Sequence, residues 1–185
     1  MRLFNLILIF FLSFTTPTIA NDNNEIIEIL KKGGNLVFIR HAYAPGGGDP
    51  SNFDINDCST QRNLDNSGRI QAKEIGKFFK ENQIPIENIY SSNWCRCKET
   101  AKLAFKNFET KSFLNSFFSS KFAHNRKQQM IDLNNYLKKW NGKDNLIFVT
   151  HYVVISEALN YELASGEIVV SDKNLNKIGS IKISY

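Results

Sequence analysis

The side chains able to do chemistry in this sequence stand at the ends of apolar runs. Leu36-Val37-Phe38-Ile39 leads directly into Arg40-His41, and Leu146-Ile147-Phe148-Val149-Thr150 leads into His151. The chain has three histidines, so two of them end such runs. A guanidinium that stays charged and an imidazole that titrates near neutrality are costly to place at the edge of a core, and a bound anion offsets that cost. For one Arg-His pair the plainer reading is an ion pair to a carboxylate beside a satisfied histidine; recurrence of the pattern argues for a built site. A second cation, Arg96, follows Ser91-Ser92 on the first turn of an expected helix. There the serines would cap the helix, and its N-terminal N–H groups would face the same region, an arrangement suited to phosphate. His124 lies in a polar segment and is assigned no role.

The elements that must position these groups follow from periodicity. Residues 36–40, bounded by Gly33-Gly34 and a Gly/Pro-rich segment, read as a strand buried on both faces, and residues 146–150 repeat it. In open α/β sheets ligands bind beyond the carboxyl ends of the strands, where Arg40, His41 and His151 fall. Glu25 to Lys32 predicts a short amphipathic helix closed by Gly33-Gly34. Ala42 to Asp65 has little periodicity and holds Pro45, Gly46-Gly47-Gly48 and Asp49-Pro50; so long a loop in a compact domain is usually functional. A helix from Asn66 or Ser67 to about Asn82 would bury Ile70, Ala72, Ile75, Gly76, Phe78 and Phe79. Ile86 to Tyr90 is a second strand. Gln128 to Trp140 is a helix with Met130, Ile131, Leu133, Leu137 and Trp140 inward, and Val153 to Leu163 another. Residues 167–170 and 178–183 read as a closing hairpin or edge strands. The pattern predicts an α/β chain: a three-layer α/β/α sandwich with a mostly parallel central sheet and an antiparallel edge strand near the C-terminus.

The chain has 185 residues, 42% hydrophobic and 22% charged, enough for one domain with a sizeable core. A formal charge of +5, spread along the sequence, does not argue for nucleic acid. Residues 1–20 read as a secretory signal: Met1-Arg2, an apolar stretch from Leu3 to Phe14, and Thr18-Ile19-Ala20 at the cleavage point. The apolar stretch falls short of the ~20 residues that span a bilayer, so no membrane span is expected after cleavage. The expected mature domain is 21–185, in the periplasm or secreted. No carboxylate or histidine cluster has metal-ligand spacing, so neither metal nor cofactor is expected. Three cysteines in an exported chain allow one disulfide and one odd thiol. Cys95 and Cys97 flank Arg96 on different sides of its helix, and the Cys58–Cys95 pairing would tie the long loop to the turn presenting Arg96.

Four motifs in order carry a resemblance. Arg40-His41-Ala42, the segment Leu64 to Ala72 with Gly68-Arg69 and Gln71, the segment Ser91 to Ala101 with Arg96 and Glu99-Thr100, and Val149-Thr150-His151 together resemble the histidine phosphatase superfamily, with its phosphoglycerate-mutase-like fold. They cover nearly all of the mature chain. The sequence is most similar to a secreted bacterial-type subgroup with a Gly-Gly-Asp-Pro loop and a Thr-Gln-Arg-Asn-Leu run, here Gly47 to Pro50 and Thr60 to Leu64. The resemblance implies that His41 is the nucleophile, that Arg40 and Arg96 clamp the phosphoryl group, that His151 completes the pocket, and that Arg62 and Ser92 join the substrate-binding set. It implies a hydrolase of the histidine acid phosphatase type, acting through a phosphohistidine on a small phosphate ester or a phosphorylated envelope component. Two positions depart from the pattern. Ala42 stands where a glycine is usual, and Ser119 stands where relatives carry a glutamate that protonates the leaving group. The proton donor would then be Glu157 or Asp49, or else Asp54 or Asp57. The alternative is a catalytically weak or inactive phosphate-ester-binding protein on the same fold; retention of both strand-end histidines favours the enzyme.

Overall fold

The computed structural model describes residues 22–184. Along them run α1 (Asp22–Lys31), β1 (Leu36–Arg40), α2 (Asn66–Glu81), β2 (Ile86–Ser91), α3 (Cys95–Phe105), β3 (Glu109–Thr110), α4 (Arg126–Lys139), β4 (Asn145–Thr150), α5 (Tyr152–Leu159), β5 (Ile168–Ser171) and β6 (Lys177–Ile181). The strands form one sheet in the order β3-β2-β4-β1-β5-β6. The two unbroken apolar runs, β1 and β4, lie side by side in parallel at its centre, with Phe38 opposite Phe148 and Arg40 opposite Thr150. β2 continues the parallel set beyond β4, and β5 runs antiparallel to β1.

A strand with no polar face must be covered on both sides, and the pleat divides its residues between two cores. Val37, Ile39, Ile147 and Val149 pack with α1, α2 and α3 through Ile26, Leu30, Ile75, Phe79 and Ala101. Leu36, Phe38, Leu146 and Phe148 pack with α4 and α5 through Leu133, Leu137, Ile155 and Leu159. The expected three-layer sandwich is thus present. At roughly 1.5–3 kcal/mol for each large apolar side chain taken from water, these two layers dominate the stability of the sheet.

The expected antiparallel edge strand near the C-terminus is β6, which forms a hairpin with β5, and β5 joins it to the sheet by running antiparallel to β1. Several other elements differ from the sequence expectation. α5 stops at Leu159, where Asn160 takes the left-handed conformation with φ 48°, so residues 160–163 leave the helix. Ile70 and Ile131 are exposed, because the buried faces of their helices run through Gly68, Gln71, Ala72, Ile75 and Phe79 and through Gln129, Leu133 and Leu137. β3 was not expected: both of its residues are exposed and carry no apolar signal. The expected signal segment, 1–20, lies outside the described residues.

Two glycines of α2 fix how its neighbours approach. A Cβ at Gly68 would stand 1.9 Å from the Tyr43 carbonyl oxygen, and one at Gly76 would stand 2.2 Å from the Ala104 carbonyl oxygen of α3. Gly76 therefore sets the separation between α2 and the helix that carries Arg96. Gly76→Ala is expected to destabilise the fold by about 1–3 kcal/mol through backbone displacement, seen as a lower urea midpoint, despite alanine's better helix propensity.

Candidate active site

Parallel neighbours bring their carboxyl ends together. His41 N–H donates to the Thr150 carbonyl at 2.9 Å, so the residue after β1 is anchored to the last residue of β4. The His41 and His151 rings lie edge to face with centroids 5.5 Å apart. Across β4, Ser92 N–H donates to Val149, and α3 begins at Cys95 with Arg96 on its first turn. The expected serine cap is not formed: Trp94 is the N-cap residue, without a side-chain cap bond. Ser92 Oγ turns instead to His151 Nε2, at 2.9 Å, and to Asn115 Oδ1. Ser92 is fully buried beside His151 and does not line the cavity at the strand ends.

Hydrogen bonding fixes the tautomers of both imidazoles. His41 Nδ1 is 2.8 Å from the Ala42 carbonyl, which can only accept, so Nδ1 carries the proton. Nε2 is left unprotonated, and its lone pair accepts from Arg96 Nε at 3.2 Å. Arg96 Nη2 stands 3.4 Å from His151 Nδ1, so the His151 proton is on Nε2, facing Ser92. Burial holds both imidazoles well below the usual histidine range, and the Arg96 charge pushes both further down. His41 is therefore a neutral imidazole whose nucleophilic nitrogen points toward positive charge. Ala42 is not in the left-handed region, so nothing in its backbone demands the usual glycine.

Around them lies a cavity of about 520 Å³ lined by Arg40, Arg62, Arg96, Asp49, His41 and His151, with Phe118 and Tyr152 also in its wall. Arg40 donates through Nη1 to the Leu163 carbonyl at 2.8 Å and lies over the Tyr152 ring, 5.6 Å from its centroid. Its buried Nε has no hydrogen-bond partner among the described residues. Arg62 holds the glycine loop, donating from Nε to Gly48 and from Nη1 to Ala44. Arg96, 3% exposed, makes a two-pronged ion pair with Asp49, at 2.7 and 3.3 Å. Burial raises the Asp49 pKa, but the bonds from Arg96, Trp94 and the Arg62 backbone outweigh it and hold the carboxyl below its usual range.

The other acid candidates lie elsewhere. Glu157 pairs with Arg126 at 2.6 Å and does not line the cavity. Asp54 and Asp57 are exposed and accept bonds from the Asn56 and Ser59 backbone within their own turn. Ser119 is in the cavity wall. Cys58 and Cys95 form a disulfide, as the placement of the loop suggested, and Cys97 is a buried free thiol pushed up to about 12 by burial. Closing the 37-residue separation contributes about 4 kcal/mol in the chain-entropy account and anchors the loop to the turn that presents Arg96. Among the described residues, no group of three or more His, Cys, Asp or Glu side chains could hold a metal ion.

Several residues that serve the site carried little signal in sequence. Thr100 accepts the Ala42 N–H with its hydroxyl at 3.0 Å, and Gln71 accepts the Tyr43 N–H at 2.9 Å, so two helices hold the backbone that follows His41. Glu167, 1% exposed, accepts from Tyr161 and from Ala164 N–H, which shapes the turn whose Leu163 carbonyl orients Arg40. Thr100 and Gln71 sat inside recognisable motifs, but Glu167 read only as the start of a strand.

Residues 36–115 match the histidine phosphatase superfamily, branch 1. Those residues contain His41, Arg40, Asp49, Arg62 and Arg96. No curated protein matches the chain. Solved structures do: the protein histidine phosphatase SixA complexed with tungstate is 14% identical, with 81% of this chain and 96% of that one covered and a TM-score of 0.53. Phosphoglycerate mutase from Thermus thermophilus is 13% identical, covering 81% and 99%, with a TM-score of 0.55. The open reading frame Rv3214 product of Mycobacterium tuberculosis is 14% identical, covering 81% and 96%, with a TM-score of 0.56. At these identities the likeness is one of fold, and the fold is phosphoglycerate-mutase-like.

The two neutral imidazoles make stability depend on pH. Each has a folded pKa below the unfolded value of 6.5, so the unfolded chain binds more protons and stability is lost as pH falls below that value. The limiting slope is about 1.4 kcal/mol per pH unit for each histidine. Urea unfolding between about pH 7.5 and 5 should show a falling midpoint, and replacing both histidines by asparagine should flatten the profile.

Proposed function

We propose that the chain hydrolyses phosphate monoesters through a phosphohistidine on His41. The observation that carries this reading is the lone pair of His41 Nε2, on a neutral and fully desolvated imidazole, bonded directly to a guanidinium in a cavity of matching charge. Arg40, Arg62 and Arg96 against Asp49 leave two positive charges in the cavity wall, the complement of a phosphate monoester dianion. Phosphoryl transfer asks the protein chiefly for position and for neutralisation of the equatorial oxygens. In this reading the phosphoryl group docks among the arginines, and the unpartnered Arg40 Nε gains an acceptor. His41 Nε2 attacks phosphorus as the ester P–O bond breaks. Water then attacks the phosphohistidine, releasing phosphate and restoring the neutral ring. Ser92 acts through His151, which holds Arg96, rather than by touching substrate.

The superfamily match supports phosphatase-type chemistry, and the SixA neighbour is a protein histidine phosphatase solved with tungstate, itself an oxyanion. Phe118 and Tyr152, 60% and 37% exposed with ring centroids 6.0 Å apart, form an aromatic rim on the cavity, and no lysine lines it. That rim favours a small ester whose leaving group presents an uncharged face, a phosphorylated envelope component among them. The disulfide supports an oxidising compartment, as export by a signal at 1–20 into the periplasm or medium would give.

His41→Ala should lower kcat on p-nitrophenyl phosphate by about 10³-fold or more, with inhibition by inorganic phosphate changed only a few-fold. Undiminished turnover in the variant would overturn the covalent mechanism. Wild-type protein that binds phosphate yet turns over no ester would establish the binding-protein alternative.

A further inference from the structure

Arg96 has no donor left over. Its Nε–H goes to His41 Nε2, Nη1 donates to Asp49 Oδ1 and the Arg62 carbonyl, and Nη2 donates to Asp49 Oδ2 and His151 Nδ1. A guanidinium carries five N–H groups, and all five are engaged. Attack on phosphorus takes the His41 Nε2 lone pair and so frees Nε–H alone; a phosphoryl group can be clamped by the two Nη groups only if an acceptor already on them gives way. The strand-end imidazoles and the Arg62 carbonyl are anchored by the sheet and the loop backbone; Asp49 is the acceptor whose two oxygens lie on the guanidinium as two phosphoryl oxygens would.

Asp49 also has the means to leave. It follows Gly46, Gly47 and Gly48, of which the first and third have φ of 86° and 76°, and a Cβ at Gly47 or Gly48 would meet nothing within 4 Å. Its remaining bonds, from Trp94 Nε1 at 2.9 Å and Arg62 N–H at 3.1 Å, come from groups on the cavity wall. It is the one carboxylate among the described residues lining the cavity. Building on the phosphohistidine reading above, we propose that Asp49 holds the place on Arg96 that the substrate's phosphoryl group takes, and that, once displaced, it protonates the leaving group.

The exchange creates its own proton donor. A carboxylate that loses its guanidinium to a phosphoryl dianion a few ångströms away faces like charge, which favours its neutral form, and it takes a proton from solvent. When His41 Nε2 bonds to phosphorus and the ester P–O bond breaks, the electron pair goes to the departing oxygen, which receives the Asp49 proton and leaves as an alcohol. In the second step Asp49 carboxylate takes a proton from the attacking water, the P–N bond breaks, and its electron pair returns to Nε2. As phosphate departs, Asp49 gives its proton to solvent and returns to Arg96. This supplies the acid that Ser119 cannot.

The test compares wild-type protein with Asp49→Asn, which keeps one accepting oxygen, for either Trp94 Nε1 or the Arg62 N–H, and removes the competing charge. Two readouts apply: the dissociation constant of inorganic phosphate by calorimetry, and the ratio of turnover on an aryl to an alkyl phosphate. The variant should bind phosphate about 5–10-fold tighter, and its aryl-to-alkyl ratio should rise about 10²-fold, because only the alkoxide needs a proton. Trp94→Phe, which removes one bond to Asp49, should tighten phosphate binding by a smaller factor. Unchanged or weaker phosphate binding in both variants overturns the place-holding role, and an unchanged ratio overturns the proton transfer. A wild type that hydrolyses neither ester contradicts the phosphatase reading and the proton transfer with it, while the phosphate constants still decide the displacement.

Discussion

A buried guanidinium needs an acceptor for every N–H, and the site is arranged round supplying them to Arg96. Stripping an unpaired charge of water costs several kcal/mol, so Arg96 cannot sit 3% exposed unless its partners are in place. Those partners come from two distant stretches of the chain: His41, Asp49 and the Arg62 carbonyl from the end of β1 and the loop after it, and His151 from the end of the adjacent β4. Arg96 is held in turn through its helix, whose first residue is tied to the loop by the Cys58–Cys95 bond and by Cys95 N–H donating to Gln61 Oε1 at 2.9 Å.

The same network sets the chemistry. Positive charge beside both imidazoles, added to their burial, keeps them neutral, and neutrality is what a histidine nucleophile requires. The Asp49 carboxylate lets three arginines share one cavity before any ligand arrives. Backbone N–H groups donating to the side chains of Thr100, Gln71, Asn115 and Glu167 fix the surrounding chain, so the reactive groups are positioned by helices and strands rather than by the loop alone.

The centre of the sheet was readable because β1 and β4 are apolar without alternation, and their terminal residues announced where the site would lie. The four cationic and imidazole groups then followed from strand direction. Ile70 and Ile131 are apolar yet lie off the buried faces of their helices, so residue type without helical angle does not place them. β3 has no apolar residue to reveal it, and the end of α5 depends on Asn160 adopting a left-handed turn. The serine cap failed because Ser92 finds a better partner in His151. The Asp49–Arg96 pair joins residues 47 apart across a loop with no periodicity, so sequence could put Asp49 among several acids but not on the guanidinium.

The central claim is that the phosphoryl group passes through His41. Rapid-quench turnover under alkaline conditions, where phosphohistidine survives, followed by peptide mass spectrometry, addresses it directly. The account predicts a phosphorylated intermediate on the peptide containing His41, formed in a burst before steady-state product. Phosphate located on His151, or steady turnover with no phosphorylated peptide at any time, would contradict it.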